Sequence, residues 1–135
     1  MSAAKPSYLD AARERVVIFD GAFGTYMQQE GLTADDFGGP ALEGCNEILV
    51  LTRPDLVTKM HEDFFKVGVD VVETATFGAF AVPLGEYDIA DKTYEINLKA
   101  AQLARDVADG YGGYVAGSVG PGTKFASLGQ IRFAD

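Results

Sequence analysis

Val16-Val17-Ile18-Phe19-Asp20-Gly21-Ala22-Phe23-Gly24-Thr25 is the stretch on which the fold class turns. Four apolar residues, three of them β-branched, run straight into an acid and a glycine. So short an apolar run predicts a strand, Val16–Phe19, buried on both faces as in a helix-covered parallel sheet. Asp20-Gly21 predicts the abrupt turn at its carboxyl end. In α/β proteins ligands gather at the carboxyl ends of strands, which makes Asp20 the first candidate site residue.

Downstream the pattern repeats. Leu56, Met60, Phe64 and Val67 recur at helical spacing after Thr52-Arg53-Pro54-Asp55, which reads as a capping box with proline in the first turn. Gly68 ends that helix, and Val69–Thr74 predicts a second strand. A further helix is expected over about 91–109, with Ile96, Ala100, Leu103 and Val107 inward, followed by a third strand, Tyr114–Val119. The apolar loop Phe77–Leu84 is expected to pack rather than to line a pocket. Alternating helices and strands imply parallel strands with right-handed crossovers, so all three strand ends fall on one edge. Before the first strand, residues 1–15 predict a loose start and a short capping helix with Leu9, Ala12 and Arg13 along one side. Residues 22–31 predict a helix, and 32–47, rich in Gly, Asp and Pro, a long irregular excursion.

Composition narrows the function classes. A chain of 135 residues has the length of one domain, and 47% hydrophobic with 23% charged content is that of an ordinary globular protein. A net charge of −9, with eleven scattered basic residues, argues against a nucleic-acid surface. No apolar run approaches the roughly 18–20 residues of a membrane span, so no membrane partner is expected. A single cysteine forbids an intrachain disulfide and fits a cytoplasmic setting.

The turn at Asp20 is not a phosphate loop: it lacks the Gly-x-Gly-x-x-Gly and Gly-Lys-Ser/Thr patterns, and a leading acid repels phosphate. An aspartate suits an amino group, while the N–H groups of Gly21 and Ala22 suit a carboxylate, a pairing that fits the head of an amino acid. Equally, Asp20 can simply cap its own turn. Glu73 and Thr74, with Thr76 beyond, form a second candidate group, for which a structural ion pair is an equal alternative. Cys45 and His61 are the only soft metal ligands, too few for a zinc site; Cys45 reads as a buried thiol and His61 as solvated. Asp35 and Asp36 read as solvated surface.

These residues also carry a resemblance. Val17-Ile18-Phe19-Asp20-Gly21-Ala22-Phe23-Gly24-Thr25 is similar to the opening strand and turn of the homocysteine S-methyltransferase barrels. Leu42-Glu43-Gly44-Cys45-Asn46-Glu47-Ile48-Leu49 and Leu51-Thr52-Arg53-Pro54-Asp55 narrow it to the N-terminal module of the cobalamin-dependent methionine synthases. Val72-Glu73-Thr74-Ala75-Thr76-Phe77-Gly78, Leu84-Gly85-Glu86-Tyr87, Tyr94-Glu95-Ile96-Asn97 and Gly117-Ser118-Val119-Gly120-Pro121 follow in order, the whole set covering about 16–133.

The resemblance implies a TIM (β/α)8 barrel, an α/β fold that typically takes about 250 residues. Residues 16–135 are then expected to cover only its first three βα units, stopping at Ile131-Arg132-Phe133-Ala134-Asp135, with 1–15 as an N-terminal extension. It implies methyl transfer from methylcobalamin to the thiol of homocysteine, giving methionine, with folate and cobalamin modules elsewhere in the protein. It also implies zinc held by three late cysteines, none of which Cys45 matches, so no metal ligand or catalytic residue is expected in this chain. Asp20 and Gly21 resemble the turn that holds the amino-acid end of homocysteine. Alone, the chain is expected to be inactive and, with open sheet edges, poorly stable or self-associating.

Two departures stand out. The family usually has Thr-Asn-Thr-Phe where this chain has Thr74-Ala75-Thr76-Phe77, which weakens the expected substrate role of that strand end. Ala126 and Gln130 replace frequent Pro and His. The rival expectations are another methyl donor, betaine or S-methylmethionine, and a non-catalytic binding domain.

Overall fold

The computed structural model describes residues 5–132, so the expected loose start at 1–4 and the last three residues lie outside it. A short helix, α1 (Tyr8–Glu14), is capped by Ser7, whose side chain accepts the Asp10 N–H. Its inward residue is Ala11; Leu9 and Ala12 are exposed, contrary to the expected face. Tyr8 meets the rings of Phe19 and Tyr114 edge-on, at 6.3 and 5.8 Å between centroids, which seats α1 against the sheet.

The sheet is smaller than expected. It holds two parallel strands, β1 (Val71–Glu73) and β2 (Tyr114–Ala116), paired Val71 to Tyr114 and Glu73 to Ala116. Val16–Phe19 is not a strand: it touches β1 through one parallel bridge, Phe19 to Val71. The physical reason is competition for its backbone. The Ile18 N–H donates to the Asp70 carboxylate, itself paired with Arg15 at 2.8 Å, while Ile18 O takes both the Asp70 and Val71 N–H groups. On the side away from β1 this segment makes no ladder among the described residues, and Val16 is 82% exposed rather than buried. Asp20 is still fixed in place, because its own N–H donates to Val71 O at 3.0 Å.

Helix α2 (Phe23–Gln29) buries Met27. The excursion that follows is not irregular. It forms 3-10 turns at Ala34–Phe37, Pro40–Leu42 and Asn46–Ile48, then α3 (Leu49–Thr52). Phe37, Cys45 and Ile48 are buried between the glycines, so the segment packs as part of the main core. Thr33 and Asp36 close a capping box, and Asp36 also pairs with Arg53, so Asp36 is structural where solvation was expected.

Helix α4 (Pro54–Lys66) begins with proline as expected, but Thr52 does not cap it. Thr52 ends α3 and donates its hydroxyl to Ile48 O, while the Asp55 carboxylate is occupied by Arg53. The buried face is also turned. Leu56 and Met60 are inside, but Val57, His61 and Phe65 join them, and Val67 is 80% exposed. α4 is covered on two flanks, by α6 (Thr93–Tyr111) and by β1. His61 is completely buried, against the expectation of a solvated residue.

The loop after β1 packs Ala75, Ala79 and Leu84 inward and contains a short helix, α5 (Ala81–Gly85). Helix α6 presents Ile96, Ala100, Ala104, Val107 and Ala108 to the interior, with Leu103 partly buried. Its alanines at spacings of four let it lie close to α4, since small side chains set a short interaxial distance.

The sharpest steric constraint is at the joint of α6 and β2. A β-carbon at Gly113 would overlap the buried Phe65 ring, which stacks on Tyr111 at 5.1 Å. Gly113→Ala is therefore expected to cost about 1–3 kcal/mol through forced repacking. Urea unfolding checks this: an unchanged midpoint would show that Phe65 can move aside.

Candidate functional site

Asp20, Glu73 with Thr74, and Ser118 end three neighbouring backbone segments on one edge of the sheet, and a cleft of about 490 Å3 opens there. Asp20, Gly21, Ala22, Glu73 and Thr74 line it, together with Asn46, Glu47, Met60, Phe77 and Ser118. Of the residues singled out in the sequence, Thr76 does not line it.

Asp20 does not cap its turn. Helix α2 starts after Ala22 with no side-chain cap, and both Asp20 oxygens instead accept the Glu73 N–H at 3.1 Å. The carboxyl is half-buried, and burial pushes its pKa up to about 6. The Glu73 N–H draws it back down and the Glu73 charge adds to the rise. Asp20 is thus a carboxyl whose charge is poorly solvated, and a cation placed beside it would be held firmly. Glu47 and Glu73 also line the cleft, and among the described residues no Lys, Arg or His does.

Thr74 and Thr76 brace the edge. The Ser118 N–H donates to Thr74 Oγ1 at 3.0 Å, and Thr76 Oγ1 donates to Ser118 O at 2.8 Å. Since the Thr76 proton is spent there, the 2.6 Å contact between the two hydroxyls must run from Thr74 to Thr76. The three groups close a ring in which each hydroxyl donates once and accepts once, locking the end of β1 to the segment after β2. Thr76 is held in this ring beside the cleft and is not among its lining residues. Ala75 is buried in the main apolar cluster and does not line the cleft.

The excursion supplies what sequence reasoning left without a role. Asn46 and Glu47 reach the cleft on the 3-10 turn that follows the buried Cys45, and Glu47 Oε1 accepts the Gly78 N–H at 3.0 Å. Their only signal was membership of the Cys45-Asn46-Glu47 motif. Cys45 itself is buried, and burial pushes its thiol up, which makes it a poor nucleophile and a poor metal ligand. Among the described residues no group of three or more His, Cys, Asp or Glu side chains is placed to hold a metal. The donor set does not fit a zinc ion.

Fold and cleft together describe a mixed α/β protein with an acidic cleft at its strand ends. The model of the homocysteine S-methyltransferase family matches residues 17–135, and the chain belongs to that family. It is 49% identical over 131 residues to the methionine synthase of Mycobacterium tuberculosis (strain ATCC 25618 / H37Rv), covering 93% of this chain. It is 47% identical over 130 residues to that of Mycobacterium leprae (strain TN). The chain spans 11% of the length of each of these relatives. Among solved structures it is similar to the metallated homocysteine methyltransferase MmuM from Escherichia coli. The TM-score is 0.64 at 21% identity, over 82% of this chain and 40% of that one, which is a likeness of fold.

Proposed function

We propose that this chain is the homocysteine-binding portion of a methionine synthase and grips the amino-acid head of homocysteine at Asp20. The ionised Asp20 carboxylate takes the substrate ammonium, with Glu73 beside it. The Gly21 and Ala22 N–H groups, which meet no acceptor among the described residues, take the substrate carboxylate. Asp20 carries the reading: a half-buried carboxyl with a pKa of about 6, in a cleft lined by no cation, is suited to exchange a proton for an ammonium.

On this reading residues 16–135 belong to the first three βα units of a (β/α)8 barrel, and residues 1–15 are an extension whose helix α1 packs against the sheet. Methyl transfer from methylcobalamin, and the folate and cobalamin modules that support it, belong to the greater length of the relatives. Zinc belongs there too, since the residues here do not fit it. This chain's part is to bind and orient, and alone it is inactive. No helix among the described residues is long and apolar enough to cross a membrane; a cytoplasmic setting is part of the proposal, supported by the free thiol of Cys45.

Titration calorimetry with homocysteine and with its analogue lacking the amino group tests this. Homocysteine is expected to bind and the analogue to give no heat. Equal binding of the two would remove Asp20 from the recognition of substrate.

A further inference from the structure

Glu47 performs a task in the cleft that neither its charge nor its exposure explains. Its carboxylate reaches across from the excursion to the turn after β1 and accepts the Gly78 N–H at 3.0 Å. The fit is close: a β-carbon at Gly78 would lie 2.9 Å from Glu47 Oε1, so a side chain at 78 would push that carboxylate aside. On its other side the same turn is tied to the segment after β2, because Phe77 O accepts the Gly120 N–H at 2.8 Å. There the approach requires glycine, a β-carbon at Gly120 falling 2.5 Å from Phe77 O. Held between these two bonds, Phe77 keeps its ring 57% exposed while lining the cleft. An exposed aromatic is not placed by its own burial. The two backbone bonds hold the turn that carries it, and its ring lies against Gly120.

We propose that Glu47 is a positioning residue which, through the Gly78 N–H, fixes Phe77 as the wall that reads the side chain of the bound amino acid. This rests on the cleft being an amino-acid site, with the head at Asp20 and the remainder of the ligand reaching along the wall. An aromatic face in that place favours a ligand whose side chain is apolar or sulfur-bearing over one with no side chain beyond a methyl group. Glu47 contributes selectivity without touching the ligand.

The test measures dissociation constants of homocysteine and L-alanine on the whole chain, together with hydrogen exchange at the Gly78 amide. In the unsubstituted chain homocysteine is expected to bind more tightly than alanine. Glu47→Ala is expected to weaken homocysteine about tenfold more than it weakens L-alanine and to expose the Gly78 amide to exchange. Glu47→Gln keeps an acceptor oxygen and is expected to restore both. A merely structural role would lower affinity for the two ligands together and leave their ratio unmoved, and that result overturns the proposal. Should Glu47→Ala fail to fold, Gly78→Ala asks the same question by displacing the carboxylate, and an unchanged ratio there overturns it equally. The underlying reading fails differently: a chain that binds neither amino acid, or alanine binding that survives Asp20→Asn, removes the amino-acid site itself.

Discussion

Asp20→Asn is expected to weaken homocysteine binding roughly a hundredfold, with little change in the fold of the free chain. Asparagine keeps an oxygen to accept the Glu73 N–H, which the Asp20 carboxylate holds at 3.1 Å, but it loses the charge. Removing one member of a partly desolvated charge pair typically costs about 2–5 kcal/mol, and roughly 3 kcal/mol corresponds to that factor of a hundred. The pH profile carries the same information independently. Burial holds the free carboxyl at about 6, so below that value a proton competes with the substrate ammonium. Affinity should rise about tenfold per pH unit up to about pH 6 and level off above it. In Asp20→Asn that limb should vanish. A variant that binds as tightly as the parent, or a parent whose affinity ignores pH, would contradict the assignment.

The second large effect concerns stability. His61 is 0% exposed, and neither ring nitrogen has a hydrogen-bond partner among the described residues. Burial alone lowers its pKa from 6.5 to about 4. The folded state therefore favours the neutral ring, whereas the unfolded chain takes up a proton below pH 6.5. Stability from this group is fully present above 6.5 and is lost as pH falls from there toward 4, by about 3 kcal/mol. Asp20 works in the opposite sense: its folded pKa is raised, so its contribution is present below the ordinary 3.8 and is lost as pH rises through about 6. The two windows overlap and offset each other between pH 4 and 6. Urea unfolding across pH 4–7 should thus show a shallow acid limb in the parent, a steeper one in Asp20→Asn, and a loss of the acid limb in His61→Leu. A His61→Leu variant with the full acid sensitivity of Asp20→Asn would show that His61 is not the titrating group. At pH 7 the same variant should be no less stable than the parent by more than about 1 kcal/mol, because removing a buried ring with unmet polar atoms offsets the change of shape.

What was legible in the sequence followed from local chemistry. Asp20 at the end of an apolar run, Pro54 at the first turn of α4, and Gly68 with a left-handed φ of 101° where the chain leaves α4 are readable one residue at a time. So was the parallel sense of β1 and β2, which the helix between them requires. The misreadings share one cause, that burial depends on what lies on the far side of an element. Val16–Phe19 has the composition of a central strand, but among the described residues it pairs only through the single bridge of Phe19 to Val71. His61 lies to one side of the apparent apolar stripe of α4, in line with Val57 and Phe65, and the packing around the helix buries all three. Asn46 and Glu47 were invisible as cleft residues because nothing local says where a glycine-rich excursion folds back. Thr76 shows the same limit: it has the chemistry of a ligand contact, and nothing local says that its hydroxyl bonds Ser118 O and Thr74 Oγ1.

The central claim, that the strand-end carboxyl of Asp20 holds the head of an amino acid, is tested most directly by following its carboxyl carbon by NMR through a pH titration. In the free chain the midpoint should lie at about 6. With homocysteine at saturation it should fall by roughly 1–3 units, since an ammonium in contact favours the ionised form. A midpoint that stays at about 6 while homocysteine is bound would contradict the account.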